Sequence, residues 1–262
     1  MGIRKIIKRL MGTMGINPDT RINSIKPFFL RDLSKIKKQM SNDKNKQFPI
    51  RYLYPIDERT TEAGTMSGGY FHQDLFAARK IYAENPLRHV DIGSRIDGFV
   101  SHIAVFREIE IFDIRPINSN VKNITFKQAD LMQLPEEMVS YCDSISALHS
   151  IEHFGLGRYG DPIDYEGHIK AIKNITKILK DDGIFYFSVP IGEQHIEFNA
   201  HRVFSINYIW DLLNHDYLLI SFSFIDSEGN FHENIEMDDK VLNPKLMKKY
   251  KYGIGVFILR KK

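Results

Sequence analysis

From residue 88 onward, short runs rich in Val, Ile, Phe and Leu recur between longer segments of mixed polarity. The runs at 88–92, 110–114, 124–128, 142–148, 183–189, 218–224 and 253–259 have the length and the β-branched or aromatic content of strands. Between them, 99–106, 165–179 and 205–213 carry apolar residues at helical spacing. In the second of these, Ile169, Ile172, Ile175 and Leu179 form one stripe, which Asp181-Asp182-Gly183 is expected to close. Strands alternating with helices predict an α/β fold. It is Rossmann-like, with a seven-stranded mostly parallel sheet and helices on both faces. No long helix separates the last two strands, which leaves them free to pair antiparallel.

Upstream, 70–85 shows helical spacing with Phe71, Leu75, Ala78 and Ile81 or Tyr82 facing inward, and Pro86 closes it. Residues 41–47 are polar and read as a loop. The stretch 48–69 is irregular, broken by Pro55, Gly64, Gly68 and Gly69. The expected organisation is therefore a basic, partly helical N-terminal extension over 1–69 and a Rossmann-like domain over 70–262. A chain of 262 residues with 43% hydrophobic content is large enough to bury the core of one such domain.

Charge changes this picture in one respect. The net charge of +3 conceals 12 Lys/Arg against 3 Asp/Glu in residues 1–50, about +9, with the remainder about −6. Residues 1–11 read as an amphipathic helix, Ile3, Ile6, Ile7 and Leu10 opposing Arg4, Lys5, Lys8 and Arg9. The favoured reading is a solvated basic face; peripheral membrane contact through residues 1–12, or phosphate tracking, is the alternative. The single Cys142 excludes an internal disulfide. The absence of a long apolar run argues against a leader or membrane span, so a cytoplasmic location is expected.

Candidate chemistry centres on His89-Val90-Asp91-Ile92-Gly93-Ser94-Arg95-Ile96-Asp97-Gly98, where a strand runs through a glycine-bracketed turn into a helix. Such a turn lets backbone approach a ligand and presents free N–H groups, although glycine there also serves tight packing alone. Ligands of open α/β sheets bind beyond the carboxyl ends of the strands. Asp113 ends the second strand, where a carboxylate accepts hydrogen bonds from a ribose diol. Asp130 follows the third, placed to accept from an adenine amino group. Taken singly, each Asp is more often a helix cap or turn residue; three strand-end acids in successive units around one turn shift the balance towards cofactor binding.

The ordered series Val90-Asp91-Ile92-Gly93-Ser94, Phe112-Asp113, Asp130-Leu131-Met132-Gln133-Leu134-Pro135, Ser146-Ala147-Leu148-His149-Ser150-Ile151-Glu152-His153 and Leu179 to Pro190 resembles the motifs of class I S-adenosylmethionine-dependent methyltransferases. The glycine-rich run from Gly155 to Pro162, with Gly69-Tyr70-Phe71-His72 and Phe198-Asn199-Ala200-His201-Arg202, is similar to a poorly characterised methyltransferase-like family. One departure stands out: Arg95 and Asp97 occupy a turn that usually holds further glycines. The resemblance implies S-adenosyl-L-methionine as cofactor, bound by Asp91, Gly93, Ser94, Gly98, Asp113, Asp130, Leu131 and His149. It also implies methyl transfer with a general base among His149, Glu152 and His153, His153 being the first choice.

Substrate contacts are expected from Arg158, His195, Asn199, His201 and Arg202. Arg158 would meet a phosphate or sugar acid if the glycine run is a lid; the run is equally readable as a plain surface loop. In the enzymes it resembles, methylation of exocyclic base or backbone amines goes with an Asn/Asp-Pro-Pro-aromatic turn after the fourth strand; this chain has Leu148-His149-Ser150-Ile151 there, so the resemblance disfavours those acceptors. By elimination the expected reaction is O-methylation of a small molecule, with a sugar or polysaccharide precursor as the leading acceptor. An RNA-modifying enzyme and a non-catalytic scaffold stay open, although nucleic acid is not the expected partner. The His149-x-x-Glu152-His153 spacing also matches that of inverted zinc peptidases, but that motif requires a helix, and here it follows a strand; no metal is expected.

Overall fold

The computed structural model describes residues 27–42, 48–51, 53–54, 56–133, 138–235 and 249–262. The expected helix over 1–11 lies outside the described residues. The chain divides into two compact units, 1–65 and 66–262. In the first, α1 (Pro27–Asn42) buries none of its residues, and the Arg59 guanidinium lies 3.2 Å over the Phe28 ring.

The second unit is a three-layer α/β/α sandwich. Its elements are α2 (Gly69–Glu84), β1 (His89–Ile92), a π-helical turn (Ile96–Val100) continuing into α3 (Ser101–Ala104), β2 (Ile109–Asp113), β3 (Ile124–Gln128), β4 (Cys142–Leu148), a 3₁₀ turn (Ile151–His153), α4 (Gly167–Ile178), β5 (Leu179–Gly192), β6 (His195–Glu197), β7 (His201–Val203), α5 (Ile206–Leu213), β8 (Tyr217–Asp226), β9 (Phe231–His232) and β10 (Tyr252–Lys261). The main sheet has the order β3-β2-β1-β4-β5-β10-β8-β9. Strands β1 to β5 are mutually parallel, and β10 runs antiparallel to both β5 and β8. Strand order therefore reverses between β1 and β4, and a crevice forms above such a switch point.

Alternation along the strands divides the core in two, because successive side chains point to opposite faces. Phe185 and Phe187 of β5 pack with Ile175 and Ile178 of α4 and Ile209 and Leu213 of α5. Ile184 and Tyr186 pack on the other face with Phe76 and Ile81 of α2 and with Phe99 and Ile103. Ser205 caps α5, its hydroxyl accepting from the Tyr208 N–H at 3.3 Å.

All seven expected strands are present, and the last two pair antiparallel as anticipated. Three details differ. The sheet gains a short edge strand, β9, and β6 and β7 form a separate hairpin. Helix α4 ends at Ile178, because Leu179 already takes extended backbone; Asp182 then adopts a left-handed φ of 60° inside β5. Finally, α2 buries Gln73, Asp74, Phe76, Ala77, Ala78 and Ile81, leaving Phe71, Leu75 and Tyr82 exposed. The inward face carries two polar residues because each has a partner: Gln73 accepts from the Ser188 hydroxyl at 2.6 Å and donates to Asp74 at 3.0 Å.

Candidate active site

A buried polar strap fixes the glycine turn after β1. The Asp91 carboxylate accepts from the Ser94 N–H at 2.9 Å, the Ser94 hydroxyl at 2.6 Å and the Ser146 hydroxyl of β4 at 2.5 Å. Ser94 Oγ in turn accepts from the Leu148 N–H at 3.1 Å. Below, the His89 ring bridges Ser144 Oγ at 2.7 Å and Ser146 Oγ at 3.1 Å. Burial pushes the Asp91 carboxyl up to about 6, against its hydrogen bonds to Ser146 and Ser94, and drives His89 down to about 3. These bonds hold the ends of β1 and β4 side by side. Gly93 has φ +63°, a left-handed conformation that strains any side chain, and a Cβ there would sit in contact with Ser150 and 3.8 Å from the Asp113 carboxylate. Gly98 serves packing instead: a Cβ there would collide with the Asp74 carboxylate of α2.

Beyond this turn a cavity is lined by Gly93, Asp113, Asp130, Leu131, Phe154 and Asp161. A wider recess adjoins it, bordered by Tyr70, Ser94, Arg95, Glu152, Arg158, His201 and Tyr252. Gly93, Asp113, Arg115, His149, His153 and Tyr159 line both. The structure thus gathers Gly93, Asp113, Asp130, Leu131 and His149 around one space, while Asp91 and Gly98 support the turn from beneath.

Asp113 is not idle. Its Oδ1 accepts from the Arg115 N–H at 2.8 Å and Nε at 3.0 Å, and Oδ2 accepts from Nη2 at 2.7 Å. The Arg115 guanidinium also lies 4.2 Å over the Tyr159 ring. Asp130 Oδ1 accepts from the Met132 N–H at 2.9 Å, which sets the turn after β3.

After β4 the chain turns at His149, φ +54°, into the 3₁₀ turn. His149 Nδ1 donates to Glu152 Oε1 at 2.7 Å, and His153 Nε2 sits 3.9 Å from the same oxygen. Glu152 is fully buried. Burial alone would raise its pKa, but His149 and His153 beside it more than compensate and hold it below the usual range. His149 Nε2 and Glu152 Oε2 are buried with no hydrogen-bond partner among the described residues. His153 Nδ1 lies 2.6 Å from the Ala200 carbonyl, so Nδ1 carries the proton and Nε2 keeps its lone pair. Burial lowers the His153 pKa despite Glu152 nearby, leaving a neutral imidazole at pH 7. Among the described residues no group of three or more His, Cys, Asp or Glu is arranged to hold a metal ion.

The glycine run is an ordered loop wound around one carboxylate. Asp161 accepts from the N–H groups of Gly155 at 2.8 Å, Gly157 at 3.2 Å and Tyr159 at 3.2 Å, with Gly155, Gly157 and Gly160 at positive φ. Behind it, buried Arg202 donates to the carbonyls of Phe154 at 2.6 Å and Tyr165 at 3.1 Å. Arg202 and His195 line a different cavity. His195 donates to the Glu193 carbonyl at 2.6 Å, and Asn199, φ +62°, lies in the turn between β6 and β7. Of the five residues expected to meet substrate, Arg158 and His201 border the recess.

A family model described as "Caenorhabditis protein of unknown function, DUF268" matches residues 108–261. The chain belongs to that DUF268 family. Within it, the matched region runs from β2 through β10 and includes Asp113, Glu152, His153 and Asp161, whereas Gly93 and the strap around Asp91 precede it. No curated protein matches the sequence. Among solved structures, the 1,6-didemethyltoxoflavin-N1-methyltransferase of Burkholderia thailandensis, with bound 1,6-didemethyltoxoflavin and S-adenosylhomocysteine, superposes with a TM-score of 0.51 at 12% identity, covering 93% of each chain. The [4+2]-cyclase SpnF gives 0.50 at 14% identity, covering 76% of this chain and 85% of that one. The fold of this DUF268 protein is that of the class I S-adenosylmethionine-dependent methyltransferases.

Arg115, Tyr70, Tyr252 and Asp161 are site residues that sequence reasoning does not single out. Asp161 carried a signal as an acid directly after the third glycine of a short run, and Tyr70 lay within a resemblance motif without a role of its own.

Proposed function

We propose that this protein binds S-adenosylmethionine in the cavity beside Gly93 and transfers its methyl group to an oxygen of a small-molecule or glycan-precursor acceptor in the adjoining recess. The observation that carries the reading is the convergence of Gly93, Asp113 and Asp130, from three consecutive strand ends, on a space whose shared wall holds His153. The residues fit that cofactor. Gly93 leaves room for its passage, Asp113 offers a carboxylate to a ribose diol, and Asp130 an acceptor to an adenine amino group, with Leu131 packing against the base. The unpartnered Nε2 of His149 gives the wall a further acceptor.

When bound, S-adenosylmethionine supplies a methyl group on a sulfonium whose leaving group is a neutral thioether. His153 Nε2 takes the proton of the acceptor hydroxyl as that oxygen forms its bond to the methyl carbon. The Ala200 carbonyl holds the imidazole in the required tautomer and stabilises the imidazolium that results. Glu152, buried and charged, orients His149 and lies close enough to His153 to favour its protonated form.

Titration calorimetry with S-adenosylhomocysteine tests the reading: saturable one-site binding supports it, and absence of both heat and thermal shift leaves a scaffold that kept the fold. The Arg115 contact on Asp113 is the one observation favouring that second reading, since it engages the carboxylate assigned to the ribose. The +9 charge of residues 1–50 motivates one more element, contact of residues 1–12 with anionic, lipid-linked intermediates at a cytoplasmic membrane surface. Among the described residues no helix is long and apolar enough to cross a membrane. Binding to anionic liposomes at low salt that disappears on deleting residues 1–12 supports this contact, and no binding by the intact chain ends it.

A further inference from the structure

Three guanidinium groups border the recess, and they differ in what they already hold. Arg95 is paired with Asp97 at 3.2 Å and Arg115 with Asp113 at 2.7 Å. Arg158 has no carboxylate within ion-pair distance among the described residues. It is nevertheless positioned. Its Nη1 donates to the Ala200 carbonyl at 3.1 Å, and its guanidinium carbon lies 5.1 Å from the centre of the Tyr159 ring. Of five N–H donors in a planar fork, one is committed, and the others are available to a carboxylate or phosphate.

The same Ala200 carbonyl also accepts from His153 Nδ1 at 2.6 Å. One oxygen thus uses both lone pairs to hold the base and the free cation at a fixed spacing, with Arg158 Nη1 3.5 Å from His153 Nδ1. Both groups border the recess, and so does His201. Tyr70 and Tyr252 add aromatic surface suited to a sugar ring. Paired carboxylates offset the neighbouring cations, so the charge offered to a ligand at this point is that of Arg158.

We infer that the acceptor is an anionic, polyhydroxylated molecule whose carboxylate or phosphate docks on Arg158 and thereby presents a neighbouring hydroxyl to His153. This rests on the methyltransferase reading and deepens it by naming the acceptor's chemical class. Docking neutralises the charge beside His153, which otherwise opposes protonation of the imidazole, so the base strengthens when the correct acceptor is bound.

The test uses the full chain, saturated with S-adenosylhomocysteine and, in parallel, without it. D-glucuronate, glucose 6-phosphate and glucose are titrated at matched ionic strength and followed by NMR. At least one anionic sugar is expected to bind roughly ten- to hundredfold more tightly than glucose. The glucuronate and phosphate arms distinguish a sugar acid from a phosphate ester. Arg158→Gln is expected to abolish the preference and Arg158→Lys to keep part of it, both with unchanged affinity for S-adenosylhomocysteine. Equal binding of all three sugars by the wild-type chain, or a preference that survives Arg158→Gln, overturns the inference. Failure of the wild type to bind S-adenosylhomocysteine refutes the cofactor reading instead, while the titrations run without it still report on Arg158.

Discussion

Replacing Asp113 and Arg115 in turn should move cofactor affinity in opposite directions. Asp113 spends three of its roughly four lone-pair positions on Arg115, so a ribose diol must displace part of that contact. Two charge-assisted bonds to the diol contribute about 1.5–3 kcal/mol each. The half-exposed ion pair given up for them is worth about 1 kcal/mol or less. Asp113→Ala should therefore weaken S-adenosylhomocysteine binding by about 3 kcal/mol, on the order of a hundredfold in Kd. Arg115→Ala removes only the competitor and should tighten binding, by up to about fivefold. Calorimetry on the three proteins, each checked for an unchanged melting profile, measures both effects. An Asp113→Ala variant that binds within threefold of wild type, or an Arg115→Ala variant that binds tenfold more weakly, refutes the assignment of Asp113 to the ribose.

Other consequences follow from the same geometry. With His153 titrating below its ordinary 6.5, kcat/KM should be level above pH 7 and fall only on acidification past that value; His153→Gln should lower kcat by about 10²–10⁴ with little change in cofactor affinity. His89, driven down to about 3, contributes stability that is full above pH 6.5 and lost as pH falls toward 3, roughly 4–5 kcal/mol at most; Asp91, raised to about 6, works in the opposite sense, its contribution full below 3.8 and lost as pH rises through 6. The stability advantage of wild type over His89→Gln in urea melts should shrink between pH 7 and 4, and a constant difference would contradict the buried neutral assignment. Gly155→Ala forces a left-handed residue and drives a Cβ into the Asp164 carbonyl, whereas Gly160→Ala meets open space. The former should cost about 2 kcal/mol or more, roughly 4–8 °C in Tm, and the latter about half; equal effects would show that the loop around Asp161 is not tightly wound.

The strands and their order of use were legible because apolar β-branched runs and the acids that end them are local signals. Asp113, Asp130 and Gly93 could be placed on one sheet edge without coordinates. What failed to show were features that depend on partners far away in sequence. The inward face of α2 carries Gln73 and Asp74, and hydrophobic spacing assigned Phe71 and Leu75 to it instead; only Ser188, 115 residues away, explains why Gln73 is inside. Arg202 looked like a substrate contact, and its basic side chain gives no hint that it is committed to the carbonyls of Phe154 and Tyr165. Conversely Tyr70 and Tyr252, at opposite ends of the domain, meet at the recess because β10 lies beside β5, a register that no local pattern reveals.

That placement of β10 also bears on how the chain comes together. Among the described residues, β8 and β9 are hydrogen-bonded to the rest of the sheet only through β10, which is synthesised after β5, β8 and β9. Until residues 252–261 arrive, β5 offers a bare edge of alternating Phe, Ser and Tyr residues, and β8 has nowhere to dock. Late pairing across so long a separation in sequence is slow, and the waiting edge invites strands from other molecules. Yield of the native protein should therefore depend on how promptly β10 slides between its two neighbours.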